Sequence, residues 1–207
     1  MGAKKRWCPA AHEPITSQQC GEGREDRYLC PLDCEYLAEA RLHEKMPDVN
    51  PDEFPNRDIQ VTEEFLRRNE PLLLFAARTL LTSALEGDAT DGDVREALAA
   101  LIKTYRTLES GLIYDSRPAN PYAAALYERM REGTQRLAEE IQQQTGLHNL
   151  GDADMLGVFV FLEDLAIQHD NGRPRGRRFL DFLRLYFPAQ PAGDSEPPPN
   201  SPLLTGP

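Results

Sequence analysis

The stretch DADMLGVFVFLEDLAIQHDNG, residues 152–172, decides the fold. It starts at Asp152, stops at Gly172, and is apolar nearly all round from Val158 to Leu162. A helix without a polar face belongs at the centre of a core, so other helices must surround it. The flanking sequence supplies them. RRFLDFLRLYF, at the C-terminal side, reads as the last helix, with Phe179, Phe182, Leu183 and Phe187 inward. On the N-terminal side, Asn120 caps a helix with Pro121 at its first position and Gly146 as terminator. The segment from Asp91 to Gly111 sets Val94, Leu98, Leu101, Ile102, Tyr105 and Leu108 on one face. Thr62 caps EEFLRRNE, and Pro71 predicts a kink or break near Asn69 before a helix that stops at Gly87. No period-2 alternation follows residue 57. The expectation is an all-α helical bundle of five or six helices.

The bundle occupies residues 58–187. A cysteine-bearing segment, residues 1–46, precedes it across a linker with three prolines, residues 47–57. Residues 188–207 hold seven prolines and read as a disordered tail. Of 207 residues, 40% are hydrophobic and 28% charged, enough apolar content for a core. The net charge of −11 opposes general binding to a phosphate backbone, so nucleic acid is not an expected partner. The longest apolar run, PLLLFAARTLL, is half of the ~20 residues that a membrane span requires. The basic start MGAKKRW leads into no apolar stretch of the kind a signal peptide needs. The chain reads as cytoplasmic, where clustered thiols stay reduced and bind metal more often than they pair.

All four cysteines, Cys8, Cys20, Cys30 and Cys34, fall within the first 34 positions, with His12 among them. Zinc takes four nitrogen or sulfur ligands in a tetrahedron. Cys8 with His12, and Cys30 with Cys34, share a three-residue spacing, and proline follows Cys8 and Cys30. With Pro31 as first helical residue, Cys30 would be the cap and Cys34 would lie one turn along the same face. CGEGREDRYL, between the pairs, reads as a turn and one short strand. A knuckle, a hairpin and a helix make a treble-clef-like module. Thiolates outcompete one imidazole for a soft site, so Cys8, Cys20, Cys30 and Cys34 are the expected zinc ligands, with His12 as alternative to Cys20. The same donors suit an iron–sulfur cluster.

CPLDCEYLAEAR, TLESGLIY and NGRPRGRRFLDFLR together resemble a set of uncharacterised bacterial proteins that pair an N-terminal cysteine cluster with a helical domain. The resemblance covers most of residues 8–187. It implies the same two-part fold and assigns no activity.

Other features have plain explanations. NGRPRGRR, residues 171–178, carries Arg173, Arg175, Arg177 and Arg178 around a Gly-Arg-Pro core like that of minor-groove hooks. It also reads as an interhelical loop whose arginines pair with carboxylates. His169, Glu163 and Asp164 are spaced badly for one helical face. Tyr114, Arg117, Tyr122 and Tyr127 have the composition of a contact surface, or of tyrosines packed on a bundle. No phosphate loop, nucleophile elbow or Glu-x-x-His pair occurs. The sequence therefore leads to a non-enzymatic interaction or regulatory protein with a structural zinc site and an unidentified protein partner. An iron–sulfur or thiol redox protein, and a DNA-associated protein using the loop at 172–178, are the alternatives.

Overall fold

The computed structural model describes residues 5–45, 49–50, 52, 54–111, 115–146 and 150–188. The Pro-rich tail, Pro188 apart, and Tyr114 lie outside the described residues. The chain opens with an antiparallel hairpin, β1 (Lys5–Cys8) and β2 (Glu13–Thr16), in which Trp7 faces Pro14 and Cys8 faces Glu13. Eight helices follow among the described residues: α1 (Ser17–Gly23), α2 (Glu35–Arg41), α3 (Glu63–Arg68), α4 (Glu70–Glu86), α5 (Asp91–Glu109), α6 (Pro121–Thr145), α7 (Asp152–Gln168) and α8 (Arg178–Tyr186).

The mostly helical fold matches the expectation, but eight helices replace the expected five or six. Six of them, α3 to α8, belong to the bundle, and α1 and α2 lie in the cysteine segment, where one helix was expected. Helix α1 forms because Thr16 and Gln19 close a capping box, each side chain satisfying the other's backbone amide. That consumes Cys20 to Gly23, where a turn and strand were expected. Helix α2 starts later than expected, with Cys34 rather than Cys30 as its cap. Pro31 sits in a turn whose carbonyl accepts the Cys34 amide at 3.1 Å, and Leu32 is drawn into the hydrophobic core. Cys30 and Cys34 are thus brought together by a turn and not by a shared helix face.

In the bundle, local chemistry matches the sequence closely. Thr62 caps α3 through the Phe65 amide, and the chain breaks at Asn69 with Pro71 in the first turn of α4. The Asn69 amide side chain reaches Asp154 in the first turn of α7 at 3.1 Å. Asn120 caps α6, and Gly146 ends it in the left-handed conformation at φ 70°. Helix α7 lies at the centre and packs most extensively on α5. Tyr105 and Phe159 meet edge-to-face at 5.2 Å between ring centroids. Gly157 makes room for α3, since a Cβ there would stand 2.4 Å from the Phe65 ring. No helix among the described residues is long and apolar enough to cross a membrane.

Candidate metal centre

The hairpin, α1, the following loop and α2 fold around one small cavity. Cys8 reaches it from the end of β1, Cys20 from α1, Cys30 from the loop and Cys34 from the cap of α2. Cys8 and Cys30 are 8% and 7% exposed, while Cys20 and Cys34 are half-buried. All four are free thiols. Trp7, Ile15, Tyr28 and Leu37 form apolar parts of the wall. The loop holds its course because the Gly23 carbonyl accepts the amides of Asp26, Arg27 and Tyr28 at 3.3, 3.1 and 2.9 Å. A Cβ at Gly23 would stand 2.3 Å from the Tyr28 ring, so any larger residue there must displace that ring.

Burial pushes the Cys30 thiol up, the Glu25 backbone amide bonded to it acts downward, and Glu25, Cys34 and Cys8 nearby push it up further. Arg6 and Arg24 also line the cavity. Arg6 stacks over the Tyr36 ring at 3.7 Å, and the Nε atoms of both arginines are buried without a hydrogen-bond partner among the described residues. The cavity holds about 10 Å³, close to one atom-sized guest. Among the described residues no three or more His, Cys, Asp or Glu side chains stand as a formed metal-holding group. The four thiols line one cavity but do not form a tetrahedral group. His12 is placed apart, exposed in the β1–β2 turn at φ 53°, and is not among the lining residues.

Sequence reasoning missed Glu25, which joins this module to the bundle. Glu25 is 1% exposed, at φ 51°. Its Oε1 accepts from Arg41 at 2.9 Å and from the Arg177 amide at 3.0 Å, and its Oε2 accepts from Asn171 at 2.9 Å. The Glu25 carbonyl accepts the Arg175 amide, and the Arg24 carbonyl accepts from Arg173 at 2.7 Å. Arg178 and Arg173 both pair with Glu44, at 2.8 and 3.7 Å. Arg41 continues the network to Asp181 on α8. Three of the four arginine side chains of the basic run thus lie inward on the module or in the interior. The usable signal was electrostatic: Glu25 and Glu44 in the cysteine segment are opposite in charge to the arginines of NGRPRGRR.

The remaining candidates are dispersed. Glu163 accepts from Asn56 at 2.8 Å, His169 stacks on Phe182 at 4.1 Å, and no hydrogen bond joins His169 to Glu163 or Asp164 among the described residues. Tyr127 is fully buried and bonds Thr104, Asp115 and Arg131. Tyr122 is exposed, and Arg117 pairs with Glu128. No family model, curated protein or solved structure matches this chain.

Proposed function

We propose that this is a non-enzymatic interaction or regulatory protein of the bacterial cytoplasm, whose N-terminal module is clipped by a structural zinc ion on Cys8, Cys20, Cys30 and Cys34. One observation carries the reading: four cysteines from four separate segments line a single cavity. Zinc would supply folding free energy to a module too small to bury an adequate core. The donor set fits the ion by charge. Zinc with four thiolates carries a net −2, and Arg6 and Arg24, each with an orphaned buried nitrogen, carry +2. The cavity size favours one ion over a multi-iron cluster. The exposed Trp7, the only tryptophan, at 59%, offers the aromatic anchor that protein partners use. Elemental analysis after anaerobic purification without chelator tests this. About one zinc per colourless chain is expected from a four-ligand site; less than a tenth of an equivalent, or a brown protein, ends the zinc reading.

A further inference from the structure

Away from the cysteines, α4 and α6 pack closely where Gly133 meets Phe75 and Thr79, and a groove of about 380 Å³ runs beside this contact. Its walls carry Arg78, Thr79, Thr82 and Ser83 from α4, and Arg129 and Arg136 from α6. In a chain of net charge −11, three arginines converge here against one carboxylate, Glu86. Among the described residues that carboxylate pairs only with Arg129, at 3.9 Å. Among the described residues Arg136 reaches no more than the Glu132 carbonyl at 3.4 Å. Arg78 is half-buried and has neither a hydrogen bond nor an ion pair among the described residues, and its Nε is shut off from water. Arg78 lines the groove with no partner of its own among those residues, so an anion there would pair with its guanidinium. The hydroxyls of Thr79, Thr82 and Ser83 likewise make no hydrogen bond among the described residues and stand ready as donors.

We infer that the α4–α6 groove binds a small anion carrying two or more phosphate groups. Arginine forks match phosphate oxygens, and hydroxyls supply further donors. Arg129 and Arg136 are seven residues apart, which spaces their backbones by about 10 Å along α6. Donors spread over that length suit linked phosphates better than a single one. The inference does not depend on the metal centre.

Calorimetric titration of the full chain with inorganic pyrophosphate, in buffer of physiological chloride concentration, tests it. Saturable one-site binding is expected, tighter than for inorganic phosphate, and weakened at least tenfold in Arg78→Gln and in Arg136→Gln. Arg67→Gln, an exposed change on α3, should bind as the parent does. Any heat from pyrophosphate drawing on bound zinc is common to all variants and cancels in the comparison. Arg136 is exposed, so Arg136→Gln decides the question even if Arg78→Gln loses helical circular dichroism. A flat titration, equal affinity for phosphate and pyrophosphate, or equal weakening in Arg67→Gln overturns the inference.

Discussion

The bundle and the cysteine module are built on opposite terms. In the bundle, Leu98, Leu101, Phe159 and Phe179 are wholly withdrawn from water, and α7 is surrounded by apolar side chains. Burial of that kind is enough to hold helices together. Among the described residues the module has only Cys8, Ile15, Cys30, Leu32 and Leu37 as buried apolar residues. It is held to the bundle by charge-assisted hydrogen bonds around Glu25 and Glu44, and two of its few buried apolar residues are cysteines. The contrast teaches that the same chain uses apolar volume in one region and directed polar bonds, with metal ligation proposed, in the other.

The contrast breaks first, if it breaks, in the bundle. Phe159→Ala leaves a cavity at the centre and should destabilise the protein by about 3–5 kcal/mol in urea titration. A loss below ~1 kcal/mol would mean that α7 is not the centre on which the bundle depends.

A second test concerns Asp91, buried at the start of α5 with its carboxylate accepting the Phe179 and Leu180 amides of α8. Burial raises its pKa from 3.8 to about 7 against the opposing effect of those amides. The unfolded chain releases this proton near 3.8, and the folded chain holds it to about 7. The folded state therefore binds more protons in that window, and stability from this group falls as pH rises through it, by at most about 4 kcal/mol. Asp164, raised to about 6 by burial, acts in the same sense over a narrower range. Asp91→Asn should flatten the fall between pH 4 and 7 without abolishing it. An unchanged slope would assign the pH dependence elsewhere.

The clasp between the regions comes next. Glu25→Ala leaves the Arg41 guanidinium, the Asn171 amide and the Arg177 backbone amide short of a buried acceptor, at a cost of about 3 kcal/mol. Glu25→Gln keeps the shape and should cost less. Hydrogen exchange should show the module opening before the bundle in Glu25→Ala; simultaneous opening would show that the two regions form one cooperative unit.

The smallest effect sharpens the ligand assignment. In competition with a colorimetric chelator, Cys20→Ser should release zinc as readily as Cys34→Ser, because Cys20 lines the cavity. His12→Ala should hold its zinc, because His12 stands exposed outside it. The reverse pattern would make His12 the fourth ligand and Cys20 a bystander.

Much of this was legible in the chain itself. The caps Thr62 and Asn120, the break at Asn69, the terminator Gly146 and the central position of α7 follow from local chemistry and 3.6-residue periodicity. These signals are local, so a single sequence carries them. The cysteine segment is less legible. The capping box of Thr16 and Gln19 is a local signal for α1, whereas Pro31 points to a helix start at Cys30 and α2 begins only at Glu35. Tertiary packing decided that point, since Leu32 gains more by entering the core than the turn would gain as helix.

The sequence by itself determined an all-α bundle with an apolar central helix, and it nominated four cysteines without ordering them in space. Only the tertiary structure decided that those cysteines line one cavity while His12 stays outside. It also decided that Glu25 takes its hydrogen bonds from a loop 146 to 152 residues further along, and that three arginines from two helices meet in one groove. The physical reason is sequence distance. Periodicity and capping act within a few residues, whereas cavities, buried ion pairs and charged grooves arise between segments whose proximity exists only after the helices have packed.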